Sequence, residues 1–193
     1  CEYCLLTQGL SPLQTSTGIG IRIDERYTVL NSMYDGTDKV DNPGNKETFL
    51  TTQVTGFYAI NPDLAALVVV PYVRNTMKEK DEEMSMEGKA IGLGDIALMG
   101  RYTFYKRHEL SSTTLLAGQV GIKLPTGATD KKDDMGDVME AHIQPGTGST
   151  DLLLGLNLSH ATGRFTLATN LLYFINGEGE KGEDKHEFGD TLN

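Results

Sequence analysis

The chain lacks the long apolar run that a membrane-spanning helix requires. Its longest uninterrupted apolar stretch covers only residues 64–70, whereas a spanning helix takes about 20 apolar residues. The mean hydropathy is −0.30. A helical membrane protein is therefore excluded, but a membrane β-barrel is not, because its strands are short and alternate between apolar and polar residues.

The chain also lacks a surplus of basic residues. It has 17 Lys and Arg against 27 Asp and Glu, for a formal net charge of −10, which argues against nucleic acid as a partner. No Gly-x-Ser-x-Gly elbow and no His-Glu-x-x-His zinc motif occur, and neither Gly18-Ile-Gly20 nor Gly92-Leu-Gly94 precedes a helical pattern. The sequence therefore predicts neither an enzyme nor a cofactor.

Cysteine is scarce, and both cysteines, Cys1 and Cys4, stand at the start of the chain. Without a second pair, Cys-x-x-Cys is a weak metal signal, and Leu5 excludes a haem attachment site, which needs histidine there. A local disulfide or two free thiols is the favoured interpretation. Lipid attachment at Cys1 and a metal or redox role stay open. Residues 1–14 show no period and are expected to form an N-terminal periplasmic tail.

Alternation is what the sequence has in place of long apolar runs. In residues 151–160, four leucines lie on one side of an extended strand, opposite Leu153, Gly155, Asn157 and Ser159, and the pattern resumes after a turn at 161–163. Successive side chains of a strand point to opposite faces, so this segment is a hairpin with one apolar face. The four leucines of its first strand are Leu152, Leu154, Leu156 and Leu158. Such a hairpin fits a soluble sheet and also a wall between lipid and water.

Five further segments have strand character, which makes seven strands at 17–30, 47–60, 64–77, 94–106, 113–124 and the two halves of 151–176. Both faces of the third strand are apolar, so its facing is not assigned. Thr191 and Leu192 are expected to begin an eighth strand. The connections alternate between long and short, with long loops at 31–46, 78–89, 125–148 and 177–190, which is typical of outer-membrane barrels.

Aromatic residues fall at two levels, although tryptophan is absent. Two aromatic girdles, one at each membrane interface, would produce this distribution. Tyr58, Tyr102, Phe104 and Phe165 lie near the short turns, and Tyr27, Phe49, Tyr72 and Tyr173 lie near the long loops. The sequence therefore predicts an all-β fold over residues 15–193, an antiparallel up-and-down transmembrane β-barrel.

If the apolar faces of this barrel meet lipid, the opposite faces line its lumen. Eight polar residues are then candidates for the lumen or for a selectivity site: Arg22, Asp24, Arg26, Gln53, Asp95, Arg101, Lys123 and Asn157. Such side chains form a constriction that selects by charge and size, or a salt-bridged plug with no role in permeation. The sequence does not decide between these two interpretations.

The third long loop offers four carboxylates, Asp130, Asp133, Asp134 and Asp137. Hard cations such as Ca²⁺ prefer oxygen ligands, but the spacing does not match an EF-hand. Methionine and histidine in the loops likewise show no diagnostic spacing for a soft metal. A solvated acidic loop is the favoured interpretation, and no metal site is predicted.

Three fragments carry a resemblance to a bacterial family. They are residues 91–105 with Gly-Leu-Gly-Asp, 121–127 with Leu-Pro-Thr-Gly, and 144–155 with Gln-Pro-Gly-Thr-Gly. Over about residues 15–177 the chain resembles the outer-membrane, transporter-like β-barrels associated with the meta-pathway of phenol degradation. The resemblance implies a porin-like protein in the outer membrane of Gram-negative bacteria that passes small molecules. The phenol label is not carried over as a substrate.

Members of that family generally continue with several more strands. Every strand edge inside a membrane must be paired, so seven strands are expected to form an incomplete barrel. Either the chain is a fragment of a longer protein, or another chain or copy supplies the missing strands, or the remaining strands lie outside this sequence. The predicted function is a channel or transporter whose partners are membrane lipid and a small solute. The alternatives are a soluble ligand-binding barrel of the lipocalin type and a structural surface barrel whose acidic loops bind partners or cations.

Overall fold

The computed structural model describes residues 18–80, 85–181, 184–187 and 189–192. Over these residues the chain is entirely β-structure and turns, and no helix in them is long and apolar enough to cross a membrane. The strands are β1 Gly18–Leu30, β2 Met33–Asp35, β3 Asp38–Val40, β4 Lys46–Ala59, β5 Leu64–Lys80, β6 Ser85–Leu93, β7 Ile96–His108, β8 Ser112–Leu124, β9 Asp151–Thr162, β10 Phe165–Ile175, β11 Glu178–Lys181, β12 Asp184–Glu187 and β13 Thr191–Leu192. The predicted tail at 1–14, with Cys1 and Cys4, lies outside the described residues.

One antiparallel sheet organises the chain, with strand order β1-β4-β5-β7-β8-β9-β10-β13. It curls into a half-barrel, so the all-β antiparallel prediction is confirmed. β5 is long enough to pair twice, with β7 along its first part and with β6 along its second. Two small hairpins, β2–β3 and β11–β12, lie within the long connections.

The predicted strands match the observed ones closely, and Thr191 and Leu192 do begin an eighth strand by pairing with Phe174 and Tyr173. The prediction of a long loop at 78–89 is wrong. β5 continues to Lys80 and β6 starts at Ser85, so this connection is mostly a paired hairpin. Its strands carry charges such as the ion pair of Lys78 and Glu87, so they lack the alternation of apolar residues that marks the other strands.

Leu152, Leu154 and Leu156 of β9 face outward, as predicted, and Leu158 on the same side is half-buried. Leu154 is 41% exposed on the convex face, whereas its neighbour Leu153 is fully buried on the concave face. The same parity holds in β1, where Ile19, Ile21 and Ile23 are strongly exposed. Large apolar residues of the half-barrel therefore lie on its convex face, the side that a soluble sheet would keep polar.

The structure also assigns the facing of the third predicted strand. In β5, Leu67 and Val69 are buried on the concave face, while Val68 and Tyr72 are exposed on the convex face. Both faces of this strand carry apolar residues because the concave face holds an apolar cluster of its own.

That cluster contains a row of lateral neighbours, Phe57, Leu67, Met99, Leu153 and Phe174, with Gly20 and Gly121 filling the remaining places. The ring of Phe57 and the side chain of Met99 lie over these two glycines. Burying each large apolar side chain contributes roughly 1.5–3 kcal/mol. Phe174 is thus part of the core on the concave face.

Seven of the eight predicted girdle residues are exposed, although Tyr72 and Tyr102 lie in the middle of β5 and β7 rather than at a strand end. The exception is Phe49, which packs inward against a second apolar cluster that includes Met77 and Ala90. Its ring centroid lies 6.3 Å from that of His142. The prediction for Phe49 is wrong because its strand parity places it on the concave face, beneath the loop between β8 and β9.

Candidate functional site

The eight predicted lumen residues all lie on buried or half-buried positions of the sheet rather than on its exposed apolar face. The structure does not bring them together in one site. Asp95 and Lys123 belong to a buried ionic cluster, Arg22, Asp24, Arg26 and Gln53 follow β1 and β4, and Arg101 and Asn157 lie towards the short turns. Each group has a different environment.

The ionic cluster consists of Asp95, Lys123 and Asp151 with the hydroxyls of Thr147 and Ser149. The ammonium Nζ of Lys123 lies 2.7 Å from Asp151 Oδ2 and 3.1 Å from Asp95 Oδ2. It also donates to Ser149 Oγ at 3.3 Å and to Thr147 Oγ1. The three charged side chains are only 3%, 2% and 0% exposed for Lys123, Asp95 and Asp151.

Backbone amides donate further hydrogen bonds to the carboxylate oxygens of this cluster. Asp95 Oδ1 accepts from the amide of Gly127 at 2.9 Å, and Oδ2 accepts from the amide and hydroxyl of Thr147 at 2.9 and 2.7 Å. Asp151 Oδ1 accepts from the amide of Gly177 at 3.1 Å. Buried charges are tolerated only when paired and hydrogen-bonded, and the ionic cluster meets both conditions.

The cluster forms where three chain segments cross: the Gly94–Asp95 break between β6 and β7, the end of β8, and the segment before β9. Thr126 Oγ1 accepts from the amide of Ile96 at 2.9 Å and donates to Gly94 O at 3.1 Å. Gly127 and Gly146 touch backbone to backbone, since a Cβ on Gly146 would lie 2.5 Å from the carbonyl carbon of Gly127. Only glycine permits so close an approach.

Residues 125–150, the inner loop, leave β8 and return to β9 by way of the concave face. Met139 and Ile143 of this loop are buried in a cluster with Met77 and Ala90. Asn75 Nδ2 donates to Ile143 O at 2.9 Å. The segment predicted to be a solvated acidic loop is therefore packed against the sheet along one side, and that prediction is wrong for this side.

The four candidate metal carboxylates of the inner loop form no metal site in the described part of the chain, where no group of three metal-ligating side chains occurs. Asp133 Oδ1 instead accepts from the amides of Met135 and Asp137 at 2.9 and 3.0 Å. Asp134 Oδ1 accepts from the amide of Glu87 at 3.2 Å. Near this contact, a hydrogen bond from Lys78 and its charge hold the pKa of the exposed Glu87 below its usual value.

The polar stripe is formed by Arg22, Asp24 and Arg26 of β1 and by the facing residue Gln53 of β4. Arg22 Nε lies 2.6 Å from Asp24 Oδ2, and these side chains are 22% and 14% exposed. Gln53 is buried and donates to Thr55 Oγ1 at 3.2 Å. The charged members of the stripe thus keep more contact with solvent than the ionic cluster does.

Arg101 and Asn157 are buried on the concave face towards the short turns. Arg101 lies opposite Gln119 in the strand register, and Nε and Nη1 of Arg101 have no hydrogen-bond acceptor in the described part of the chain. Asn157 Nδ2 donates to Asn170 Oδ1. The structure places neither residue in the ionic cluster or the polar stripe.

Sequence reasoning missed Asp151, Thr147 and Ser149 as members of the ionic cluster. The sequence did contain a signal for Asp151. It is two residues before Leu153, so its side chain points to the same inward face, opposite to the outward leucines. It also follows directly the loop whose other end is close to Lys123. An acid and a base on inward positions of neighbouring strand ends predict a pair. No comparable signal marked the two hydroxyl residues.

A family model described as "Putative MetA-pathway of phenol degradation" matches residues 36–191. The match contains every residue of the ionic cluster and the whole inner loop. It begins between β2 and β3, so three residues of the polar stripe lie before it: Arg22, Asp24 and Arg26. No curated protein matches the chain.

Proposed function

Since the chain belongs to the family of the MetA pathway of phenol degradation, we propose that it forms the wall of a bacterial outer-membrane β-barrel through which small solutes pass. The observation that carries this proposal is the outward facing of the apolar residues. Leu152, Leu154 and Leu156 are each more than 40% exposed on the convex face of β9, while polar residues gather on the concave face.

Water would make this arrangement unfavourable. Each square ångström of apolar surface left in water forgoes about 25 cal/mol, and a large continuous apolar patch on a soluble protein marks a contact with a partner or a membrane. The convex face carries such residues along every long strand, and exposed tyrosines lie near both ends. In the proposed barrel, acyl chains cover this face, and the aromatic side chains lie at the two interfaces.

A soluble barrel of the lipocalin type would need the opposite facing, with Leu152, Leu154 and Leu156 around an internal ligand. Their exposure on the convex face disfavours that alternative. Within the described residues, the outer edge of β1 has no partner strand, and the outer edge of β10 is paired only at Tyr173 and Phe174, with β13. In a bilayer, the unpaired backbone groups along these edges would each cost several kcal/mol. The proposal therefore includes further strands that pair with these edges and close the barrel.

The solute path of the proposed channel runs along the polar stripe. Arg22 and Asp24 are partly exposed on the concave face, whereas the charges of the ionic cluster are sealed from water. A charged wall selects solutes only where the solute reaches it. The channel involves no catalytic step, and we assign no catalytic residue.

Cysteine labelling in liposomes tests the membrane part of the proposal. In a chain with Cys1→Ser and Cys4→Ser, we expect Asp24→Cys to react with a membrane-impermeant maleimide and Leu154→Cys to be protected until detergent is added. Equal labelling of both positions in intact liposomes would show that Leu154 does not face lipid.

Swelling of the same liposomes in small neutral solutes tests the channel part. The proposed channel makes the liposomes swell faster than protein-free liposomes. A protein that inserts with Leu154 protected but gives no permeation would be a structural surface barrel instead.

A further inference from the structure

We propose that the inner loop is the constriction that limits the size of the solutes, and that the ionic cluster holds it in place. This inference rests on the proposed channel function. It assigns a positioning role to Asp95, Lys123 and Asp151, which contact the loop or its ends rather than the solute. Four observations support it.

The first observation is how far the loop extends across the concave face. It begins after β8 and ends before β9, yet it contacts β4, β5 and β6. His142 Nε2 lies 3.2 Å from Glu47 Oε1 on β4, and Asn75 of β5 donates to Ile143 O. A loop that bridges strands on the far side of its own attachment narrows the mouth of the half-barrel.

The second observation is that the loop is packed rather than merely resting there. Met139 and Ile143 are almost completely buried against Met77 and Ala90, with Phe49 alongside. Met139 lies so close to Gly88 that a Cβ there would approach its sulfur to 2.5 Å. This apolar side fixes the loop against the wall.

The third observation is that the other side of the loop is polar and exposed. Asp134, Asp137, Glu140 and His142 are all exposed, and Glu140 Oε2 lies 3.1 Å from His142 Nδ1. The inner loop therefore has an apolar side that packs against the wall and a polar side that faces away from it. This is the arrangement expected of a loop that borders an aqueous path.

The fourth observation is that one carboxylate holds both ends of the loop. Asp95 accepts from the amide of Gly127, near where the loop begins, and from the amide of Thr147, near where it ends. Lys123 on β8 and Asp151 on β9 flank the loop, and the single positive charge of Lys123 lies between the carboxylates of Asp151 and Asp95. Loss of the Asp95 charge therefore weakens both attachments at once.

Accessibility of a cysteine beneath the loop tests the positioning role without any transport measurement. Ala90→Cys, in the chain with Cys1→Ser and Cys4→Ser, is expected to react slowly with maleimide. Adding Asp95→Asn should raise its rate by roughly one to two orders of magnitude, because a broken buried pair favours local opening. The matched control is Asp63→Asn, which removes a carboxylate paired with Lys106 at a short turn and should leave the rate unchanged.

Liposome swelling in neutral saccharides of increasing size tests the constriction. The wild-type chain should admit small saccharides and exclude larger ones. Asp95→Asn should raise the swelling rate for the larger ones several-fold while changing it little for the smallest. Asp63→Asn should keep the wild-type size limit.

A disulfide across the loop keeps the test decisive if Asp95→Asn also loosens the barrel. A Cβ on Gly88 would lie 3.6 Å from the Cβ of Asp133, within the roughly 3.5–4.5 Å that a disulfide needs. The flexible side chain of Met139 must move aside for this Cβ, so Gly88→Cys/Asp133→Cys with Asp95 intact is the matched control for that displacement. In Gly88→Cys/Asp133→Cys with Asp95→Asn, oxidation should restore the size limit and a reductant should abolish it again. A barrel damaged elsewhere would not respond to the reductant.

The outcomes are distinguishable from those of the proposed function. If the wild-type chain gives permeation but the size limit ignores both Asp95→Asn and the disulfide, the constriction inference is overturned. If Asp95→Asn leaves the labelling of Ala90→Cys unchanged, the positioning role is overturned. If no variant, wild type included, gives permeation, the channel proposal fails and the constriction with it, while the labelling still decides whether the ionic cluster holds the loop.

Discussion

The ionic cluster and the polar stripe both place charges on the concave face of the same half-barrel, yet their surroundings differ. In the cluster, Lys123 is enclosed by two carboxylates and two hydroxyls and is almost inaccessible to water. In the stripe, the Arg22–Asp24 pair stays partly exposed. The difference comes from the inner loop, which covers the strand ends near the cluster and leaves the face of β1 uncovered.

This contrast separates two roles that one charge pattern can have. A buried pair must remain complete, because removing one partner leaves an uncompensated charge that costs roughly 3–5 kcal/mol. A fully exposed pair contributes only about 0–1 kcal/mol, and a pair that keeps part of its surface in water can be reached by a passing solute. We therefore interpret the ionic cluster as structural and the stripe as the part of the wall suited to selectivity.

The largest effect is expected from Lys123→Met. It leaves Asp95 and Asp151 buried without a counter-charge, so the free energy of unfolding should fall by about 3–5 kcal/mol. Urea unfolding of the protein in detergent or lipid measures it. The control is Lys106→Met, whose partner Asp63 is exposed, with an expected loss of about 0–1 kcal/mol. Similar losses in both variants would mean that the cluster is no more structural than a surface pair.

A smaller effect is expected from Gly146→Ala, which disturbs the cluster without removing a charge. The new Cβ would lie 2.5 Å from the backbone of Gly127, and overpacking of this kind costs roughly 1–3 kcal/mol. Gly100→Ala is the control, because its Cβ would meet no atom closer than 3.9 Å. If Gly146→Ala were as stable as Gly100→Ala, the close crossing of the two ends of the loop would not matter for stability.

Most of the sheet was predictable because each strand is marked by a pattern within its own few residues. Alternation with a period of two gives both the strand and its facing, so the outward leucines of β9 could be predicted from four residues. The β5–β6 hairpin was missed because strands outside an apolar setting need not alternate in hydrophobicity. Lys78 and Glu87 form a charged pair there instead.

The candidate site was less predictable because it depends on contacts between distant segments. Asp95, Lys123 and Asp151 come from three places in the chain, and no spacing rule joins them. Met139 and Ile143 are isolated apolar residues in an acidic segment, and the composition of this segment predicts a surface loop. Their burial depends on the space that the small residues Ala90 and Gly88 leave beside β6, which Met139 and Ile143 fill. A single sequence does not show that these segments meet.

The smallest effect on stability, and the one that most sharpens the comparison, is expected in the polar stripe. Arg22→Gln and Asp24→Asn should each lower the free energy of unfolding by less than Lys123→Met does, because these side chains keep 22% and 14% of their surface exposed and contact with water weakens an ion pair. Their effect on ion selectivity should have opposite signs, since a fixed charge on the wall of a pore attracts ions of the opposite sign. Removing the cation at Arg22 should favour cations, and removing the anion at Asp24 should favour anions. The reversal potential of a reconstituted bilayer under a salt gradient measures both, with Asp63→Asn as the unchanged reference. Identical reversal potentials for the two variants would place the ion path away from β1, although the stripe would still differ from the cluster in stability.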